Sequence, residues 1–196
     1  MTHPISTDVL IAGGGPCGLM LANELGRRGI RCLLLDPKPG TAFNPQANAT
    51  QARTMEHFRR LGFAHKIRAQ GLPSDHPTDI AYLTRFSGRE LARLRLPTAA
   101  AATQVIKTLG GSWSAAELPH RVSQKYVELT LREEAEKQAC VDVRYGWRLQ
   151  AFEDCGDHIE TTVAPVDDSQ HLITVQAQYL VGADGARSMI RNQLGF

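Results

Sequence analysis

Three glycines spaced G-x-G-x-x-G (Gly13, Gly15 and Gly18) and an acid further along, Asp36, are the residues whose types and spacing point most directly to chemistry. That chemistry is the binding of a pyrophosphate-linked dinucleotide. The first glycine permits a tight turn out of a strand. The second lacks a Cβ, so a pyrophosphate can approach the backbone, and the third lets a helix pack closely on the strand. Pro16 sits where a helix begins and its missing N–H costs nothing. Cys17 lies inside the loop as a small packing residue, with the backbone rather than the thiol serving the phosphates. Asp36 is placed to accept from a ribose 2′-hydroxyl and would repel a 2′-phosphate, so the bound dinucleotide is expected to be FAD or NAD rather than NADP.

Regular elements must hold these residues. Val9 to Ala12 is an apolar run that ends in glycine and reads as a strand buried on both faces. Leu19, Met20, Ala22, Leu25 and Gly26 recur at helical spacing, with Arg27 and Arg28 expected in the last turn and Gly29 closing it. Cys32 to Leu35 is a second apolar strand, ending in Asp36.

The chain has 196 residues, 42% hydrophobic and 21% charged, which suits an ordinary globular protein. Twenty-two Lys and Arg stand against 20 Asp and Glu, a net charge of +2, so nothing calls for nucleic acid or an anionic membrane as partner. No apolar run approaches a bilayer span, and the N-terminus lacks a signal-peptide core. The four cysteines (17, 32, 140 and 155) are scattered and form no CxxC, so reduced thiols, a cytoplasmic location and no metal site are expected.

The segment from Pro37 to Thr50 is rich in Pro, Gly and Asn and reads as a loop leaving the ligand edge of the sheet. Gln51 to Leu61 predicts a helix with Met55, Phe58 and Leu61 on one face, stopped by Gly62, and His65 to Gln70 a shorter one. Of the helix's arginines, Arg53 is nearest the loop and is the candidate for a flavin or phosphate contact, while Arg59 and Arg60 read as solvated. Runs 79–86 and 90–96 flank Ser87-Gly88-Arg89 as a hairpin. Gly110-Gly111-Ser112 is loop-like, and 103–118 carries no assignable pattern. Ser123 is a suitable N-cap for a helix from Gln124 to about Gln138, with Val127, Leu131 and Ala135 inward. A short strand follows at 141–143. Runs 147–153, 158–164 and 172–176 then form an antiparallel meander, a separate strand spans 178–181, and 186–194 is helical.

This order separates the candidates. A simple NAD dehydrogenase would continue β-α-β-α after the second strand, whereas here a hairpin, a helix and a meander intervene before the sheet resumes near Tyr179. The stretches GGGPCGLMLANELGRRG, ARTMEHFRRLG, RVSQKYVELTLREEA and YLVGADGARSMIR together resemble the N-terminal part of the FAD-dependent aromatic-ring hydroxylases, flavoprotein monooxygenases similar to p-hydroxybenzoate and phenol hydroxylases. The resemblance covers essentially the whole chain. It implies an α/β class, a Rossmann-like FAD-binding fold of the glutathione-reductase type, with a β-meander and part of an inserted substrate-domain sheet. Residues 1–77 and 120–196 would form the FAD-binding domain and 78–119 the start of the substrate region.

The resemblance further implies FAD as cofactor, NADPH or NADH as co-substrate, and O2 and a small phenolic or related aromatic compound as substrates. Gly13, Gly15 and Gly18 match the pyrophosphate loop and Asp36 the acid on the adenosine ribose. Gln124 matches a glutamine near the flavin's phosphate and ribityl region. Asp184, Gly185 and Arg191 match an Asp-Gly motif where flavin and pyridine-nucleotide functions meet. Gln46 stands where many relatives carry a basic residue facing the flavin phosphates, so that contact loses its charge. No residue is assigned as catalytic acid, base or nucleophile, because the flavin carries the hard chemistry. Relatives continue past the Asp-Gly motif to a later Gly-Asp segment, and Phe196 precedes any such segment, so the chain reads as a fragment, a truncated product or one part of a split protein. A non-catalytic FAD-binding module is the alternative. A halogenase or amine oxidase with the same opening fits less well. The oligomeric state, a homodimer included, is open.

Overall fold

The computed structural model describes residues 4–44, 46–108 and 115–196. In chain order its elements begin with β1 (Ile5–Ala12), α1 (Pro16–Gly26) and β2 (Cys32–Asp36). Then come β3 (Ala49–Thr50), α2 (Ala52–Arg60), α3 (Ala64–Ala69), β4 (Ile80–Leu83), β5 (Glu90–Leu94), α4 (Ala99–Thr108) and β6 (His120–Arg121). The chain ends with α5 (Gln124–Glu136), β7 (Val141–Tyr145), β8 (Trp147–Asp154), β9 (Ile159–Pro165), β10 (Ile173–Gly182) and α6 (Met189–Gln193). The contacts divide it into two compact units, Met1–Pro45 with Val127–Phe196, and Gln46–Tyr126.

The first unit is built on one six-stranded sheet in the order β7-β2-β1-β10-β9-β8. Strands β7, β2, β1 and β10 are parallel, and β10, β9 and β8 form the expected antiparallel meander. β2 is buried along its whole length, and Leu10 and Ile11 of β1 are fully buried, as a parallel strand covered on both faces requires. One face gathers Leu10, Leu33, Leu35, Val163, Val175 and Ala177 into a core, with Trp147, Leu149 and Leu180 packed against it. Helix α1 lies against β1, β2 and β7, burying Leu19 and Ala22. Its buried Asn23 donates to the Leu19 carbonyl and, at 2.8 Å, to the Leu131 carbonyl of α5, tying the two helices together.

The second unit has its own core of Met55, Phe58, Phe63, Ile67 and Val122, with the Phe58 and Phe63 rings 5.5 Å apart. The hairpin is present as β4–β5, with Ile80 opposite Leu94.

Several boundaries differ from expectation. Residues 178–181 are not a separate strand but the second half of β10, whose residues 173–177 pair with β9 while 175–182 pair with β1. No turn residue interrupts Val175 to Val181, so nothing breaks the strand there. The 37–50 loop ends in β3, where Ala49 and Thr50 pair with Arg121 and His120. Helix α1 stops at Gly26, so Arg27 is its C-cap and Arg28 lies beyond the last turn. Ser123 precedes α5 as expected, but its buried hydroxyl forms no hydrogen bond among the described residues and so supplies no cap. Helix α4 occupies part of the unassigned stretch, because an alanine run has high helical propensity. The Gly110-Gly111-Ser112 reading lies outside the described residues. No helix among the described residues is long and apolar enough to cross a membrane.

Candidate dinucleotide site

In the first unit, parallel strands β1, β2 and β10 bring their carboxyl ends side by side, and each end carries a residue singled out by the sequence. Gly13 follows β1, Asp36 closes β2, and Asp184-Gly185 follows β10. Neighbouring strand ends are also stitched directly: Gly13 N–H donates to the Leu35 carbonyl and Ala183 N–H to the Ala12 carbonyl, both at 2.7 Å. Ligands in open α/β sheets bind at this carboxyl edge, in the crevice where strand order reverses. Here the reversal is at β1, flanked by β2 on one side and β10 on the other.

The three glycines have different reasons to be glycine. Gly13 has φ +116°, and a Cβ there would run into the Ala183 carbonyl. A Cβ on Gly18 would overlap the Gly13 carbonyl, so the helix could not approach the turn. Gly15 is the contrast. Its φ of −80° is open to any residue, and a Cβ there would meet nothing within 4 Å. Packing within the described residues therefore does not demand glycine at 15, whereas a phosphate seated against the backbone does. Gly15 is the N-cap of α1, Pro16 opens the helix and Cys17 is exposed beside it, so this helix end carries amides suited to an anion.

Asp36 is buried and already engaged. Its Oδ2 accepts from Gly14 N–H at 2.7 Å and its Oδ1 from Lys38 N–H at 2.8 Å. A carboxylate has about four acceptor positions, so two remain for ribose hydroxyls. Asp184 shows the complementary state: Oδ2 accepts from Met189 N–H at 2.8 Å, while Oδ1 is buried without a partner among the described residues. A buried acceptor left unpaired costs about 1–3 kcal/mol, and a ligand hydroxyl would satisfy it. The open cradle at Gly15 and the orphaned Asp184 Oδ1 both fit a phosphate-and-polyol ligand such as FAD. Gly185 turns the chain with φ +81°, and Arg191 folds back to donate to the Ala186 carbonyl at 2.9 Å.

The other candidates belong to the second unit. Gln46 N–H donates to Oε1 of Gln124 at 3.0 Å, so the structure joins two residues the sequence named separately. Arg53 pairs with Glu56 at 2.8 Å and is otherwise exposed. This unit also holds a cavity of about 450 Å3 with Ile80, Leu94, Leu96, Pro97 and Leu118 in its walls.

Two residues were not anticipated. Tyr145, at the end of β7, sits opposite Asp36 in the parallel register and donates its hydroxyl to the Gly14 carbonyl at 2.8 Å. Burial, reinforced by the Asp36 and Glu128 carboxylates, pushes its phenol well above the ordinary tyrosine range, so it remains a donor. Glu128 of α5 is buried and accepts from Ala42 N–H at 2.6 Å, holding the loop that leaves β2. The short apolar run 141–143 signals the strand, but only the register with β2 reveals that Tyr145 lies level with Asp36.

Residues 6–196 match the family described as FAD binding domain. The chain belongs to the FAD-binding domain family. As a member of it, the chain is 33% identical over 193 residues to 6-methylpretetramide 4-monooxygenase of Streptomyces rimosus, covering 96% of this chain and 30% of that protein. It is 30% identical over 194 residues to 2,4-dichlorophenol 6-monooxygenase of Cupriavidus pinatubonensis, covering 99% and 31%. Among solved structures, the flavin-dependent monooxygenase PieE in complex with FAD and substrate superposes with a TM-score of 0.85 at 30% identity, over 98% of this chain and 33% of that one. The expected likeness to the N-terminal portion of aromatic monooxygenases, and the FAD-binding α/β fold, are thereby borne out. The chain spans about a third of the length of the curated relatives it matches.

Proposed function

We propose that this FAD-binding domain serves a monooxygenase that uses NADPH or NADH and O2 to hydroxylate a phenolic or related aromatic compound. The observation that carries the reading is the juxtaposition, at one sheet edge, of the Gly15 cradle and the buried, unpartnered Asp184 Oδ1. Gly13, Gly15, Pro16, Cys17 and Gly18 would hold the pyrophosphate through backbone and helix end, Asp36 the adenosine ribose, and Asp184 and Gly185 a polyol or phosphate oxygen. Arg191 would brace the Asp-Gly turn. Gln46, Gln124 and Arg53 are the candidates in the second unit, where Gln46 offers a hydrogen bond in place of a charge. When bound, the flavin supplies the redox chemistry, accepting hydride and activating oxygen. The chain's own residues bind it, orient it and limit the access of water. Residues 78–119 are assigned to the aromatic substrate, and the apolar cavity beside β4–β5 suits a ring of that kind.

The test begins with an absorption spectrum of the purified chain after incubation with FAD and desalting, wild type beside Gly15→Leu. Wild type should retain the flavin band. Gly15→Leu should lose it while folding normally, because a Cβ at 15 meets nothing within 4 Å and the new side chain would enter the space assigned to the pyrophosphate. Equal retention by both would sink the assignment of Gly15 to the pyrophosphate. NADH and NADPH oxidation assays with phenols then address the co-substrate and substrate class.

A further inference from the structure

Gly14 lies between the two glycines that the motif explains, and it is clamped from both sides. Its N–H donates to Asp36 Oδ2 and its carbonyl accepts from the Tyr145 hydroxyl. A Cβ at Gly14 would stand 2.9 Å from Asp36 Cβ and 3.1 Å from the Tyr145 ring. The two clamping residues are themselves held level, since Asp36 and Tyr145 are partners in the β2–β7 register. The Arg132 guanidinium of α5 sits 4.8 Å over the Tyr145 ring and donates to Glu136 at 2.7 Å, which fixes the ring from the helix side.

The Gly14 carbonyl and the Gly15 N–H belong to one peptide unit. In a planar trans peptide the two point in opposite directions. Holding the carbonyl on Tyr145 therefore turns the Gly15 N–H, at the N-cap of α1, away from Tyr145. Among the described residues nothing accepts that N–H. We propose that Tyr145 is a positioning residue for dinucleotide binding: its hydroxyl sets the Gly14–Gly15 peptide so that the Gly15 N–H is presented to the pyrophosphate. This rests on the dinucleotide reading above. It adds a side chain from the far edge of the parallel sheet to a loop otherwise understood through its own glycines.

The test compares wild type with Tyr145→Phe, titrating FAD, ADP and adenosine separately. FAD is followed by flavin fluorescence and the other two by calorimetry. If Tyr145 acts through the Gly15 N–H, the variant should bind FAD and ADP about tenfold more weakly, the scale of one hydrogen bond to a charged group. Adenosine, which has no phosphate, should bind both proteins equally. A residue that only stabilised the fold would lower the variant's melting temperature and leave the three affinities of the folded protein unchanged, which would overturn the proposal. Equal weakening of all three ligands would overturn it as well. A second arm needs no variant: in 15N-labelled wild-type chain, the Gly15 amide resonance should move more than that of Gly29 when ADP is added. An unmoved Gly15 amide on an ADP-saturated chain would refute the proposal even if Tyr145→Phe did not fold. Failure of wild type to bind either FAD or ADP would instead overturn the dinucleotide reading itself.

Discussion

Replacing Asp36 with alanine separates two jobs that one carboxylate does in this structure. Asp36 accepts from Gly14 N–H at 2.7 Å and from Lys38 N–H at 2.8 Å, and it is only 5% exposed. Hydrogen bonds to a charged acceptor contribute about 1.5–3 kcal/mol each. The Lys38 amide is partly buried and can find water after the substitution, so its share falls to the lower end. The Gly14 amide is buried and cannot. The sum is a loss of about 3–4.5 kcal/mol in the flavin-free chain. Urea unfolding of flavin-free wild type, Asp36→Ala and Asp36→Asn measures it, with asparagine keeping one acceptor oxygen and losing about half as much. A second, separable effect is on FAD. If ribose hydroxyls use the remaining acceptor positions, affinity of the folded variant falls by about 1–3 kcal/mol. Removing the carboxylate should also lower the Tyr145 phenol from its raised position, though burial, the larger cause, would keep it above an ordinary tyrosine. Flavin-free Asp36→Ala unfolding within about 0.5 kcal/mol of wild type would refute the anchoring argument, since that is the scatter of an ordinary surface substitution.

Gly18→Ala should destabilise the chain with or without FAD, by about 3 kcal/mol, because its Cβ overlaps the Gly13 carbonyl and the backbone must move; a melting curve like that of wild type would refute the packing role. Burial, with the Arg68 charge second, holds the His120 imidazole below its ordinary range, so the folded state binds its proton less tightly than the unfolded chain does. Its contribution is therefore complete above about pH 6.5 and is lost as the pH falls below that value. The difference in unfolding free energy between wild type and His120→Gln should show this slope, and a flat difference from pH 7.5 to 5 would count against it. Thiol labelling at pH 8 should modify exposed Cys17 and Cys155 quickly, while Cys32, buried in β2 with its thiol pushed up to about 11, reacts only on unfolding. Bound FAD should slow labelling at Cys17 and leave Cys155 unchanged.

What the sequence made legible was what local pattern encodes. The G-x-G-x-x-G turn, the two apolar strands around α1, the hairpin, α5 and the meander are each written in contiguous residues, and the structure forms all of them. Cap preference is a statement about residue type, whereas capping needs the hydroxyl aimed at a free amide, and among the described residues the Ser123 hydroxyl makes no such bond. Strand β3 is two residues long and exists only through its partner β6, about 70 residues away, so no local signal announces it. Two apolar runs in sequence suggest two elements, but they form one strand, β10, that exchanges neighbours partway along. Tyr145 was invisible for a similar reason. A tyrosine after Val-Asp-Val-Arg is unremarkable until the register sets it against Asp36.

The continuity of β10 also constrains how this chain can change over generations. Its ten residues carry the meander at one end and deliver Asp184 at the other. Val175 and Ala177 face the core, and inserting or deleting one residue between them and Gly182 would turn one end of the strand inside out. Length variation is therefore shut out of the strand. The exposed turn at 167–171, which joins β9 to β10, is where insertions can be accepted without displacing the Asp-Gly motif. Members of the lineage should differ freely in the size of that turn and hardly at all in the count from the first residue of β10 to the Asp-Gly pair.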